Sequence, residues 1–306
     1  MKACRSTIRL SGTRAVSREA ITSSSEQVLT QAPDISSRTD VRFEQILASV
    51  VFNEHLTGDY WLIEVEAPTI AGRLSPGQFV NIRIDGSLAP YLRRPFSVYR
   101  LSPDRRRLQV AYKLLGQGSR LMKSTMPQGG VCDLVGPFGR GFRLPENARR
   151  IAVIGRGIGI AALPTLVDDA AKRGIEVHGF LSARTAPNLV ALDIFASHGF
   201  PVVTHTDEQS QGMVTDHLVA VAEKLDFDGF YVCGSNRLAR AVHALADRQH
   251  ARAEVAMEQH MACGFGDCHG CVVQVNLEPS GRDKAFREVC HYGPVFDTWE
   301  IVNASA

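Results

Sequence analysis

Ile151-Ala-Val-Ile154, followed at once by Gly155-Arg-Gly-Ile-Gly159, is the stretch that decides how this chain is built. Four consecutive apolar residues predict a short strand buried on both faces, and the glycines that follow predict a sharp turn. A helical pattern then runs to about Lys172. A turn in this position suits a phosphate, because the first N–H groups of a helix lack internal partners and carry the positive end of its dipole. Arg156 interrupts the glycines. Its side chain either occupies space where backbone would approach the ligand or adds charge to the phosphate site.

Further strands are predicted at Glu176–Leu181, Val202–Thr206 and Phe230–Cys233, with helical stretches between them, and a last strand at Ala253–Met257. Strand–helix alternation of this kind implies a doubly wound parallel sheet of Rossmann-like type. Cys233 ends one of these strands, on the edge where open α/β sheets bind ligands. It either faces a nicotinamide ring or is a small buried core residue.

Upstream, the pattern from about Val41 to Pro145 is one of short alternating runs cut by Gly and Pro. Tyr60–Val65, Phe79–Ile84 and Leu108–Lys113 are the clearest, and together they predict a small antiparallel β-barrel. Within it, Tyr91-Leu-Arg-Arg-Pro-Phe-Ser-Val98 carries a cation, a rigid proline and a hydroxyl on one extended segment. Arg94 can neutralise a pyrophosphate, and a serine further along can meet a ring nitrogen. An Arg-Pro edge strand is the plain alternative. Gly116-Gln-Gly-Ser119, after Ala111-Tyr-Lys113, offers free N–H groups for a second phosphate contact, or is a simple turn.

The C-terminal region adds chemistry. Of seven cysteines, four fall at 263, 268, 271 and 290, and the other three at 4, 132 and 233. An odd, clustered set in a chain with no secretory signal points to a metal site in a reducing compartment such as the cytoplasm, not to a disulfide framework. Cys263, Cys268 and Cys271 have the C-x4-C-x2-C spacing of plant-type ferredoxins, and Cys290 completes a ligand set for a 2Fe–2S cluster. Gly264, Gly266 and Gly270 lie between the ligands, where the loop must curl tightly. A structural zinc site usually pairs two C-x2-C knuckles, and only one is present. His269 is expected outside the ligand set. A short strand is predicted at Cys271–Val275.

Length and composition bound the rest. The chain has 306 residues, 44% hydrophobic and 22% charged, enough for about two globular domains. A net charge of +2 implies neither nucleic acid nor a membrane surface as partner, and no apolar run approaches the ~18 residues of a membrane span. From Met1 to Arg18 there are basic residues and no acidic ones. We read residues 1–40 as an extension without a core, in preference to an organellar presequence. The expected division is 41–147, 148–257 and 258–306.

Taken in order, these motifs resemble the ferredoxin–NADP reductase-like flavoproteins and, within them, the electron-transfer subunits of NAD-dependent, class 1B dihydroorotate dehydrogenases. The resemblance runs from about Val41 to Phe296. It is carried most specifically by Met257-Glu-Gln-His-Met-Ala-Cys-Gly-Phe-Gly-Asp-Cys-His-Gly-Cys271 and Val289-Cys-His-Tyr-Gly-Pro-Val-Phe296. It implies an FAD-binding barrel, a NAD(P)-binding Rossmann-like domain and a small C-terminal 2Fe–2S domain. Arg94, Pro95, Phe96, Ser97, Ala111, Tyr112, Lys113, Gly118 and Ser119 would bind FAD, and Gly155, Gly157 and Gly159 would line the nucleotide phosphates. The implied partner is an FMN-containing catalytic subunit that oxidises dihydroorotate, in a heterotetramer. Two residues depart from the pattern: Arg156 stands where the family has Gly, and Ser235 where it has Pro. A nicotinamide moves two electrons and a cluster one, so a flavin must convert between them. Two other readings share this frame: a reductase subunit for a hydrogenase, sulfite reductase or oxygenase, and a redox sensor without turnover.

Overall fold

A computed structural model describes residues 43–84, 89–209 and 211–301. The predicted extension over 1–40, with Cys4, lies outside them. Seven strands come first: β1 (Glu44–Thr57), β2 (Tyr60–Glu66), β3 (Phe79–Arg83), β4 (Arg94–Ser97), β5 (Arg100–Leu101), β6 (Arg107–Lys113) and β7 (Val131–Phe138). Two helices interrupt them, α1 (Pro68–Ala71) and α2 (Gln117–Thr125). The strands pair in the order β4-β3-β7-β1-β2-β6-β5, antiparallel throughout. The two end strands are separated only by Val98-Tyr99, and the Tyr99 N–H donates to the Gln109 carbonyl at 2.8 Å, so the sheet curls back on itself. Alternate side chains fill the interior, among them Val50, Ile63, Val65, Val80, Ile82, Val110 and Leu134, all at most 2% exposed. The barrel pattern is therefore the period-two alternation of the sequence closed into a ring.

The second half contains β8 (Arg150–Arg156), α3 (Pro164–Lys172), β9 (Glu176–Ala183), α4 (Leu192–Ser197), β10 (Val202–Thr206), α5 (Val214–Ala222), β11 (Gly229–Cys233), α6 (Asn236–Gln249) and β12 (Arg252–Ala256). The predicted strands fall where these lie, within two residues at each end. The helix expected directly after the glycines is different. Gly157–Ala162 is a 3-10 turn, and the α-helix begins only at Pro164, which lacks an N–H and fits a first-turn position. Strand order is β10-β9-β8-β11-β12, all parallel. Ile151 and Val153 face the core shared with α3 and α4, while Ala152 and Ile154 face that shared with α5 and α6. Both faces are covered, which is why the run is continuously apolar.

The tail forms a hairpin, β13 (Val272–Asn276) with β14 (Lys284–Glu288), then α7 (Val289–Tyr292), β15 (Val295–Asp297) and α8 (Thr298–Ile301). β15 returns to the parallel sheet and pairs antiparallel with β12. The joint carries a buried carboxylate. Glu254 is fully buried, accepts the Arg143 N–H at 2.8 Å, and binds Arg252 at 2.8 Å, which also reaches Asp297. Burial pushes the Glu254 carboxyl up, opposed by the Arg143 N–H and Arg252. Removing the carboxylate would strand its donors, so Glu254→Ala is expected to cost about 3 kcal/mol of unfolding free energy, measured in denaturant. Among the described residues, no helix is long and apolar enough to cross a membrane.

Candidate functional site

The segment from Met257 to Cys271 leaves β12 without regular structure and closes on α7. Gly264 and Gly266 hold φ of +83° and +96°. A Cβ on Gly264 would lie 2.0 Å from Asn81 Nδ2, and one on Gly266 would lie 3.0 Å from His291 Cβ. Only glycine fits both backbone and space. The loop brings the sulfurs together with N–H donors. Gly270 N–H points at Cys268 Sγ, and Cys290 N–H at Cys271 Sγ, each at 3.4 Å. Burial raises the Cys263 thiol, but N–H groups of Cys268 and Phe265 outweigh it and bring it down to about 7. Cys271 and Cys290 are each 2% exposed and not bonded to one another. Burial, then the neighbouring sulfurs of Cys271 and Cys263, push the Cys290 thiol up.

This environment fits a 2Fe–2S cluster. Buried sulfurs that repel one another as thiolates need cationic irons between them, and N–H groups aimed at sulfur stabilise the anionic ligands. Among the described residues no group of three or more His, Cys, Asp or Glu side chains is already drawn together around a metal position. His269 turns away, its Nδ1 bound to Glu288.

The cluster loop rests on the barrel. Asn81, buried in β3, donates from Nδ2 to the Cys263 carbonyl at 3.1 Å. Pro95 is the directly opposed partner of Asn81 in the β3–β4 pairing. The Arg94–Ser97 segment is thus the strand next to the one that touches the cysteine loop. Phe265, between the first two ligands, stacks on Phe43 at 5.9 Å and Phe138 at 6.5 Å.

Arg94 converges with the first turn of α2, where a Cβ on Gly118 would sit 3.3 Å from Arg94 Nε. Ser119 Oγ accepts the N–H groups of Leu115 and Gly116. The Tyr112 ring points into the barrel, and its hydroxyl donates to Asn53 at 2.8 Å. Ala111–Lys113 pairs with β2 along one edge, while β5 reaches only Leu108 and Gln109 on the other. The edge of Ala111–Lys113 that no strand pairs among the described residues, and Arg94 beside Gly118, fit a flavin with a diphosphate tail.

At the glycine turn, a Cβ on Gly155 would strike Ile160 at 2.7 Å, and Gly157 holds φ of +57°. Gly159 faces Cys233, whose carbonyl would be 3.1 Å from an added Cβ, and Glu258, whose Oε1 would be equally close. Burial raises both the Cys233 thiol and the Glu258 carboxyl. Cys233 is 3% exposed, so it is buried and also lines the turn. The sequence reading assigned no role to Asn81 or Glu258. Glu258 carried a signal, since it lies inside the cysteine motif.

Residues 258–302 match the family described as the iron–sulfur cluster binding domain of dihydroorotate dehydrogenase B. The electron transfer subunit of dihydroorotate dehydrogenase B (NAD(+)) from Geobacillus kaustophilus is 35% identical over 246 residues, covering 76% of this chain and 91% of that protein. Its counterpart from Desulforamulus reducens is 31% identical, covering 79% and 92%. Among solved structures, the NADH-dependent reduced ferredoxin-NADP oxidoreductase superposes with a TM-score of 0.70 at 25% identity, over 83% of this chain and 89% of that one. Phthalate dioxygenase reductase shares the fold, with a TM-score of 0.56 at 19% identity over 81% and 77%.

Barrel, parallel sheet and cysteine segment define an electron-transfer oxidoreductase of the ferredoxin-reductase type. More narrowly, the chain belongs to the family of dihydroorotate dehydrogenase B electron transfer subunits, and it carries that family's iron–sulfur domain.

Proposed function

We propose that this chain passes electrons between a catalytic dihydroorotate dehydrogenase subunit holding FMN and NAD+, through its own 2Fe–2S cluster and FAD, in a heterotetramer serving pyrimidine biosynthesis. In this reading residues 41–147 hold FAD, 148–257 the nucleotide and 258–306 the cluster. Cys263, Cys268, Cys271 and Cys290 ligate the irons. Arg94 neutralises the flavin diphosphate, Ser97 and the backbone of Ala111–Lys113 orient the ring, and Gly118-Ser119 gives the phosphates room. Gly155, Gly157 and Gly159 admit the nucleotide phosphates, with Cys233 beside the nicotinamide. When bound, the flavin exchanges a hydride with nicotinamide and single electrons with a cluster.

The chain's own residues need no acid or base for an organic substrate. Their work is to fix two redox groups at short distance and keep water from the nearer face. The observation that carries this reading is Asn81, which touches the Cys263 carbonyl while its strand neighbour Pro95 lies within the flavin segment. The buried amide of Asn81 ties the cysteine loop to the strand beside the flavin segment.

Anaerobically purified protein should contain iron, sulfide and FAD in a ratio of two, two and one. NADH should reduce it, and it should co-purify with a dihydroorotate-oxidising subunit. Full flavin loading with no reduction by either NADH or NADPH would favour a sensor instead. Co-purification with a different redox enzyme would reassign the partner.

A further inference from the structure

Arg156 closes β8 and opens the glycine turn, so its backbone belongs to the segment proposed above for the nucleotide phosphates. Its side chain goes elsewhere. Nη2 donates to Asp207 Oδ2 at 2.7 Å and Nη1 to Oδ1 at 3.1 Å. Asp207 follows β10, which lies two places from β8 in the sheet, and its N–H donates to the Ala183 carbonyl of β9 at 3.2 Å. The guanidinium therefore reaches across the end of β9, on the edge where open α/β sheets take ligands. Arg156 and Asp207 both line a cavity of about 530 Å³, whose walls also include Ser182, His205, Thr215 and Arg237.

The walls suit an anionic guest. Arg156 and Asp207 cancel one another, while Arg237, in the first turn of α6, has no ion pair among the described residues. His205 is 4% exposed, and its Nδ1 has no hydrogen-bond partner among the described residues. A buried nitrogen left unpaired is costly, and a guest can supply what it lacks. The clamp between Arg156 and Asp207 is also easy to exchange. Their side chains are 38% and 46% exposed, and an ion pair so open to water is worth at most about fivefold in an equilibrium. A diphosphate carries more charge than one carboxylate and presents several oxygens to the same planar fork, so it is the stronger client. Asp207 remains a rival anion at neutral pH, because hydrogen bonds from Arg156 hold its carboxyl below the ordinary carboxylate range.

We propose that Arg156 is a diphosphate-binding residue held in reserve by Asp207, and that its guanidinium leaves the carboxylate for the dinucleotide's diphosphate when nucleotide binds. The inference rests on the nucleotide-binding reading above and deepens it. Rotation about the Arg156 side-chain bonds is all the change requires, since the turn that receives the phosphates begins at its own backbone. The sequence left two roles open for this side chain, blocking the turn or charging it. At rest it does neither, and with nucleotide bound it does the second. Asp207 is then a counterweight: each binding event must first break the clamp, and each release is helped by its return. Nucleotide binds more weakly and leaves faster than the guanidinium alone would allow, which suits a relay that must shed its nucleotide every turnover.

The test uses holoprotein with flavin and cluster loaded, titrated by calorimetry with ADP-ribose, which carries the diphosphate, and with adenosine, which does not. Asp207→Asn should tighten ADP-ribose about fivefold, the worth of the released clamp, with no gain for adenosine. Arg156→Gly should weaken ADP-ribose by about fivefold and leave adenosine unchanged. In the Arg156→Gly background, Asp207→Asn should gain less than it does beside Arg156, because no guanidinium is left to release. Arg156→Gly that binds ADP-ribose as tightly as wild type, or tighter, overturns the proposal: the guanidinium would then stay on Asp207 or stand in the ligand's way. So does a gain from Asp207→Asn that is equal or larger once Arg156 is gone. If wild-type holoprotein neither binds ADP-ribose nor has its flavin reduced by NADH, the nucleotide reading itself fails. If NADH reduces the flavin and all variants bind ADP-ribose alike, only the role given to Arg156 falls.

Discussion

Replacing Cys271 with serine is expected to abolish the iron and sulfide content while leaving FAD bound and still reducible by NADH. The two outcomes separate because the groups stand on different elements. Cys271 precedes the β13–β14 hairpin and faces Cys290 on α7, whereas the residues proposed for the flavin lie on β4, β6 and the start of α2. Serine fills nearly the same space, and the Cys290 N–H gives its oxygen a donor, so the 2%-exposed position keeps its packing. What it lacks is a thiolate. Loss of an outer hydrogen-bond partner of a metal ligand costs about 10–100-fold, so losing the ligand itself should lower electron delivery to the catalytic subunit by at least about 100-fold. Reduction of a small two-electron acceptor by NADH should change little. Absorption spectra, iron and sulfide assays, and stopped-flow reduction distinguish these. Intact cluster bands would remove Cys271 from the ligand set.

How much of this was legible beforehand follows from the range of each interaction. The cysteine loop was legible as a motif because three of the proposed ligands and their glycines lie within nine residues, from Cys263 to Cys271, while the fourth, Cys290, lies further on. The strand at Ile151–Ile154 could be read because burial on both faces leaves a continuous apolar run. Asn81 could not. It lies 182 residues from Cys263, and a single Asn in an alternating strand looks like any other polar position. The return of β15 to the parallel sheet was hidden for the same reason: Val295-Phe-Asp297 is too short to announce a strand, and only its pairing with β12 makes it one. Arg156 was visible as an oddity, but its meaning waited on Asp207, which comes 51 residues later. Tyr112 shows the limit at single-residue level. The motif around it was readable, yet which side its ring faced depended on how the barrel closed.

Gly264→Ala should damage the site as severely as losing a ligand, by another route. Two costs arise. At φ of +83° an alanine suffers the left-handed penalty of about 1–2 kcal/mol. Its methyl would also fall 2.0 Å from Asn81 Nδ2, so either the loop or the amide must give way. Asn81 has little freedom, since β3 is paired on both edges, to Pro95 and to Val135. Pushing the amide aside breaks its bond to the Cys263 carbonyl and leaves buried groups unpaired, a further ~1–3 kcal/mol. Together these approach a large part of a typical domain's ~5–15 kcal/mol, concentrated at the loop that must close on iron. Cluster occupancy should fall to a small fraction and the thermal midpoint should drop, with FAD content the last to go. A double-mutant cycle separates the causes. With Asn81→Ala in place the steric conflict disappears and only the backbone penalty remains, so Gly264→Ala should cost at least ~1 kcal/mol less in that background. Equal costs in both backgrounds would mean that the amide does not fill the space against the loop. The barrel strand would then not be what sets the distance between flavin and cluster.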